Sequence, residues 1–270
     1  MPTSRRKPLS PVHDANPLSD ARVLSGCAGW SLSSAVAAEF PDDGSHLERY
    51  AKVFSAVEIN SSFYRPHRPA TYARWRDSVP DDFRFSAKLP RSITHEHGLK
   101  DADALLAAFL AEVGELGKKL GCLLVQLPPS LAFDAAAAQA FFALLRSGTP
   151  SALACEARHA SWFSDEAAAL LSEHDVASVL ADPLPVSQAR PQGDADLAYL
   201  RLHGSPRVYY SAYEDEKLAE VASTIASYRQ QGKTVWCIFD NTAQGHAVPN
   251  ALRLQQMLGT QHAKGRPDPE

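Results

Sequence analysis

Cysteine is scarce in this chain and never paired: Cys27, Cys122, Cys155 and Cys237 are the four in 270 residues, far apart and without a C-x-x-C. The spacing excludes a disulfide framework and a thiolate zinc motif. Each cysteine sits in a short apolar run, so all four are expected as buried, reduced thiols. Long apolar runs are also missing, since none approaches the roughly 18 residues a transmembrane helix needs. The first twenty residues hold four prolines and three basic residues but no apolar centre, which excludes a secretory signal. Strong charge of either sign is absent too. Net charge is -4 and pI about 6.2, so no global field draws the protein to nucleic acid or an anionic membrane, and a nucleic-acid role would require a local basic patch. These features together predict a cytoplasmic protein with disordered tails at residues 1–20 and 260–270 around one domain at 21–259.

Short apolar or β-branched runs alternate with longer stretches of helical period, the pattern of parallel βα units. Eight strands are predicted: Arg22 to Ala28, Ala56 to Asn60, Phe83 to Leu89, Cys122 to Leu127, Ala152 to Glu156, Ala177 to Ala181, Leu197 to Leu202 and Thr234 to Phe239. Leu105, Leu106, Phe109, Leu110, Val113, Leu116 and Leu120 mark the clearest helix, and Leu218, Val221, Ala222, Ile225 and Tyr228 another. Residues Ala135 to Leu145 and Asp165 to His174 supply two more, the second introduced by Ser164 as a cap. Roughly 30 residues per unit matches a (β/α)8 barrel of TIM type. An open doubly wound sheet is the alternative, but GCAGWSL follows the first strand where a G-x-G-x-x-G turn would stand. The proline-rich stretch DPLPVSQARPQGDAD has no helical period and is expected as a loop replacing the sixth helix.

Strands buried on both faces should be apolar, so polar residues at their C-terminal ends need a reason, and in barrels that end carries the active face. Here they include Glu58, Asn60 and Tyr64 after the second strand, Lys88 and His95 after the third, and Gln126 after the fourth. Glu156, Arg158, His159 and Trp162 follow the fifth, Asp182 the sixth, Arg201 and His203 the seventh, and Asp240, Asn241 and Thr242 the eighth.

The stretches GCAGW, FSAVEINSSFYR, FSAKLPRSITH, KLGCLLVQLPPS, CEARHASW, YLRLHG and VWCIFDNT, in that order, resemble the YecE-like family, also called domain of unknown function 72. The resemblance implies a TIM-barrel-like fold with a polar pocket at the strand ends. Asp240 departs from the family's FNNT pattern and adds a negative charge there.

Lys88, Arg158 and Arg201 suit a phosphate or carboxylate clamp. His203, with an intrinsic pKa near neutrality, is the candidate acid/base group, paired with Glu156. Glu58 and Glu156 are also the kind of carboxylate pair a glycosidase uses, with salt-bridged structural acids as the plainer reading. Asp182, Asn60, Tyr64, His95, Gln126, Asn241 and Thr242 are expected to contact substrate, and Trp30, Tyr64 and Trp162 to wall it, with packing at the barrel rim an equal reading of the aromatics. Nearby acids should hold Lys88 charged, which argues against a Schiff-base role. All seven residues Glu58, Lys88, Glu156, Arg158, Asp182, Arg201 and His203 are expected in one cluster. The reading is an enzyme of hydrolase or lyase type acting on an anionic, phosphorylated or similar small molecule, with no cofactor favoured. Two alternatives stand: a nuclease-like phosphodiesterase using a divalent metal, and a noncatalytic ligand-binding barrel. For the metal, His95, His159, His203, Glu58, Glu156 and Asp182 are ligand types, whereas Arg158 and Arg201 oppose a dication and no H-E-x-x-H occurs, so no metal ligand is assigned.

Overall fold

Residues 22–185 and 195–259 are described by the computed structural model. Their eight strands are β1 (Val23–Cys27), β2 (Ala56–Ile59), β3 (Arg84–Lys88), β4 (Leu120–Gln126), β5 (Ala152–Glu156), β6 (Val176–Asp182), β7 (Leu197–Leu202) and β8 (Thr234–Phe239). All neighbouring pairs are parallel, in the order β1-β8-β7-β6-β5-β4-β3-β2. A single parallel bridge from Ala28 to Glu58 closes the ring. The architecture is a TIM-type (β/α)8 barrel, and each expected strand lies within two residues of its observed bounds.

Helices α1 (His46–Ala51), α2 (Pro69–Asp77), α3 (Asp103–Val113), α4 (Ala135–Gly148), α5 (Asp165–Glu173), α6 (Asp215–Gln230) and α7 (Ala247–Leu258) surround the strands. Local chemistry starts several of them. Ser45 and Glu48 form a capping box on α1, and the side chains of Asp134 and Ser164 accept from Ala137 N and Ala167 N to cap α4 and α5. Leu106, Phe109 and Val113 of α3, and Leu218, Val221 and Ile225 of α6, bury the faces their spacing marked out, whereas Leu105 is exposed. The expected sixth loop falls mostly on residues 186–194, which lie outside the described residues, as do both expected tails.

The strands sort their side chains by a period of two. Val57, Ile59, Leu200, Leu202, Val235, Cys237 and Phe239 face outward and pack with the helices in one core. Leu24, Ala56, Cys122, Leu124, Ala154, Ala177, Val179, Tyr199, Trp236 and Ile238 face inward and form a second core inside the ring. Tyr199 stacks on Trp236 there, ring centroids 5.8 Å apart and planes 4° from parallel. The four cysteines lie buried as free thiols.

Side chains reinforce the seam between β1 and β2, where strand pairing is reduced to that one bridge. The Tyr50 hydroxyl accepts from Cys27 N (2.7 Å) and donates to Ala56 O (3.1 Å). Ser55 Oγ accepts from Ser25 N (3.2 Å) and donates to Val23 O (3.4 Å). Gly26 is required at this seam, because a Cβ there would lie 1.9 Å from Ala56 O.

Candidate functional site

Continuing the inward parity one step past the apolar interior reaches a charged layer. Glu58 follows Ala56 on β2, Lys88 follows Ser86 on β3, Gln126 follows Leu124 on β4, Glu156 follows Ala154 on β5, and Arg201 follows Tyr199 on β7. Asp240, two residues beyond Ile238, completes it from β8, and Asn60, Arg158 and His203 are the next inward positions of their strands.

Arg201 is the centre of this layer and is entirely buried. Its Nε and Nη2 donate to Glu58 Oε2 (2.9 Å) and Oε1 (2.6 Å), and Nη1 donates to Glu156 Oε2 (2.9 Å). Nη2 also lies 3.0 Å from Asp240 Oδ2. From below, the Tyr199 hydroxyl contacts Glu58 Oε2 (3.0 Å) and Ser86 Oγ (2.9 Å). Above, Arg158 Nε and Nη2 donate to Glu156 Oε1 at 3.0 and 2.8 Å. His203 stands between two acids, with Nδ1 3.1 Å from Asp240 Oδ2 and Nε2 3.2 Å from Glu156 Oε1.

The electrostatics follow from these contacts. Burial would raise Glu156, but Arg201, His203 and Arg158 together hold its carboxyl well below the usual range. Burial opposes ionisation of Asp240 as well, and Arg201, His203 and Lys88 overcome it. For His203, burial disfavours the cation, yet hydrogen bonds to Asp240 and Glu156 raise its pKa. Ionised carboxylates only accept, so both ring nitrogens must donate and His203 is an imidazolium. This makes it a proton donor and takes it out of the base half of the expected acid/base role.

Lys88 departs from expectation in sign. Burial, then the charge of Arg201, lowers its pKa to about 8, although Glu58, Glu156 and Asp240 pull the other way. Those acids are already engaged by Arg201, Arg158 and His203, so desolvation dominates. Lys88 is 6% exposed, and among the described residues its Nζ makes no hydrogen bond or ion pair; it rests 4.0 Å above the Phe63 ring. His95 meets the same ring edge to face at 4.9 Å. Its pKa is lowered by burial and by the cations Lys88, Arg91 and Arg158, and its Nδ1 is bonded to Thr94 Oγ1 (2.9 Å).

Several expected site residues stand elsewhere, and parity gives the reason for two. Ala177 and Val179 point inward, so Asp182 points toward α6, where it accepts from Tyr213 OH (3.0 Å) and pairs with Lys217 (2.9 Å). Five of the seven charged residues expected in one cluster, Glu58, Glu156, Arg158, Arg201 and His203, are thus joined by hydrogen bonds or ion pairs, with Asp240 added, and Lys88 lies in the same layer without such a bond among the described residues. Asn241, one residue past inward Asp240, spends both amide protons on Ser211 O (3.0 Å) and Asn250 Oδ1 (2.9 Å), which leaves its side chain no donor for an anion. Thr242 is exposed. Arg201 is committed to three acids, which removes it from the expected anion clamp. Trp162 is buried in the outer shell against Phe133 and Phe142, its Nε1 donating to Leu131 O (3.0 Å). Trp30 packs edge to face on Trp75 (5.0 Å), and Tyr64 is 73% exposed beside Phe63. Gln126 Nε2 donates to Leu127 O (2.7 Å), and Asn60 Oδ1 is buried without a partner among the described residues.

Asp240 was expected only as an added negative charge at the pocket, and Ser86, Tyr199 and Tyr209 were not expected there; counting by two along β8, β3 and β7 identifies Asp240, Ser86 and Tyr199 as inward. Tyr209 has a φ of 70°, unusual for a residue with a side chain, and places its ring 5.6 Å from His203 and its hydroxyl 3.5 Å from Arg158 Nη2. Among the described residues, no group of three or more His, Cys, Asp or Glu side chains is arranged to hold a metal ion. The Arg201 guanidinium fills the space between the three acids.

The series of strand-end motifs has a counterpart in known proteins. A family model described as "Protein of unknown function DUF72" matches residues 24–270. The chain belongs to the DUF72 family. This DUF72 protein is 34% identical over 156 residues to the UPF0759 protein YecE of Escherichia coli O157:H7, a match taking in 55% of the chain and 56% of that relative. The matched part thus spans about half the length of that relative. The UPF0759 protein YunF of Bacillus subtilis (strain 168) is 22% identical over 273 residues, covering 89% of this chain and 96% of its own. Among solved structures, a DUF72 family protein from Thermotoga maritima superposes with a TM-score of 0.74 at 27% identity, covering 88% of this chain and 99% of its own. One from Enterococcus faecalis gives 0.74 at 21%, covering 92% and 99%, and shares the fold. Among the described residues of the DUF72 chain, no helix is long and apolar enough to cross a membrane.

Proposed function

We propose that the C-terminal mouth of the barrel binds an anionic small molecule and that the chain is an enzyme of hydrolase or lyase type acting on it. One observation carries the reading: Lys88 is a buried amine left over after every acid of the layer has been engaged. Glu58, Glu156 and Asp240 are matched by Arg201, Arg158 and the His203 imidazolium. Protonated Lys88 then adds an unbalanced positive charge, which a buried site tolerates only with a counter-ion. Arg158 supports this, because its side chain is a quarter exposed and its Nη1 has no hydrogen bond among the described residues. Asn60 Oδ1 offers a buried acceptor for a substrate hydroxyl.

Calorimetric titration with inorganic phosphate and with pyruvate tests the binding. Both should bind the parent protein, and Arg158→Ala should weaken them by about 10- to 150-fold, the worth of one charge-assisted contact. Equal affinity in that variant rejects Arg158 as a ligand, and no binding by either anion rejects the reading. The enzymatic part is tested by following bound metabolites for conversion, with His203→Gln expected to slow turnover more than binding.

A further inference from the structure

We infer that Lys88 is a nucleophile that forms a Schiff base with the carbonyl carbon of an anionic ketone or aldehyde, of the class of the 2-oxo acids. The inference rests on the anion-binding reading and assigns chemistry to the same mouth.

Its basis is the position of the amine. Lys88 is the last residue of β3, facing inward at the C-terminal end of the strand within the charged layer. Among the described residues it is the only lysine that is buried. Of the other described lysines, Lys118 is exposed to solvent and the rest are tied to partners: Lys52 to Asp43, Lys100 to Asp134, Lys119 to the carbonyls of Arg76 and Val79, Lys217 to Asp182 and Lys233 to Ala195 O. Lys88 has the Phe63 ring and no such bond, so its lone pair is not spent on a partner once the proton leaves. The low polarity that strips its hydration also brings its pKa to about 8, which leaves a usable fraction as free amine near neutrality.

The reaction balances without an added reagent. Starting from the ammonium, one proton leaves Nζ and the amine attacks the carbonyl carbon. The C=O bond breaks as C=N forms, and the oxygen departs as water with two protons that began on nitrogen. The product is a protonated iminium, so Nζ carries one positive charge before and after, and the network of Glu58, Glu156 and Asp240 keeps its balance. The carboxylate of the substrate supplies the counter-charge and meets Arg158. An iminium at this point withdraws electrons from the adjacent bond, which is the means by which a lyase breaks carbon–carbon or carbon–hydrogen bonds.

Reductive trapping tests it. The full chain is incubated with pyruvate and cyanoborohydride, then analysed by intact mass and peptide mapping. A single pyruvyl adduct on Lys88 is expected, formed about tenfold or more faster than the adduct from acetone, which has the ketone without the anion. Phosphate should slow the trapping by competition. Lys88→Arg should abolish the adduct while still binding pyruvate in titrations, since it keeps the charge and loses the nucleophile. An unlabelled Lys88 in parent protein that binds pyruvate overturns the Schiff base and leaves the anion site standing. Failure to bind pyruvate and phosphate at all overturns both readings. Labelling spread evenly over surface lysines, and unchanged by phosphate, also overturns the assignment.

Discussion

Arg201 and Glu58 meet fork to fork inside the barrel, Nε to Oε2 at 2.9 Å and Nη2 to Oε1 at 2.6 Å, with neither side chain more than 1% exposed. They come from β7 and β2, three strands apart around the ring, so the pair holds the charged layer together across its interior. Removing one partner leaves a buried charge uncompensated. Glu58→Gln and Arg201→Met should each lower the unfolding free energy by about 3–5 kcal/mol, while the double variant should lose less than the sum. Urea denaturation of the four proteins reads the coupling, and additive losses would show that the pair is not a unit.

His203 gives stability a pH dependence of defined sign. Its folded pKa is raised above the ordinary value near 6.5 by the hydrogen bonds to Asp240 and Glu156, which outweigh burial. Its contribution is therefore complete below about pH 6.5 and is lost as pH rises through the folded pKa. Lys88 titrates with the opposite effect, its depressed pKa making stability rise above about pH 8. Between about pH 6.5 and 8 the midpoint of urea unfolding should fall with pH in the parent protein and stay level in His203→Gln. A parent curve flat across that window would show that His203 is neutral and that one of its two acid contacts is broken.

The barrel was legible because βα alternation is a long-range pattern that eight separate strands repeat. Membership of the charged layer was only partly legible. Residue type and strand end placed Glu58, Lys88, Glu156, Arg158, Arg201 and His203 correctly, but they could not tell Asp182 and Asn241, which face the helices, from Asp240, which faces inward. The inward set depends on register, and a one-residue change reverses every side chain. Trp162 was undecided for a different reason: an aromatic after a strand serves the outer shell as readily as a pocket wall, and its indole N–H found a carbonyl there. The direction of the Lys88 shift required knowing which acids were already paired, a property of the folded network and of no single motif.

Tyr50 should prove necessary for closing the ring. Its hydroxyl stands in for a backbone bond at the β1–β2 seam, so Tyr50→Phe leaves the Cys27 N–H and the Ala56 carbonyl buried without this partner. A loss of about 1–3 kcal/mol is expected, with the amide of Cys27 losing protection in hydrogen exchange. Unchanged exchange at Cys27 would mean that the seam is held by Ser55 and packing alone.

Lys88 should be a stability liability kept for its chemistry. Among the described residues its ammonium is buried without a counter-ion, and burial lowers its pKa from 10.5 to about 8. Near neutral pH both states are protonated, so the full penalty is felt there. Lys88→Met keeps an unbranched apolar side chain of nearly the same length while removing the ammonium that stands over Phe63. The variant should be more stable than the parent by about 1–3 kcal/mol, the pKa difference less the lost cation–π contact. Anions should reverse the order: phosphate or pyruvate should raise the melting temperature of the parent well above any rise in Lys88→Met, which keeps Arg158 but has lost the uncompensated charge. A less stable Lys88→Met protein, or one that phosphate stabilises as much as the parent, would show that the ammonium already has its counter-ion within the fold.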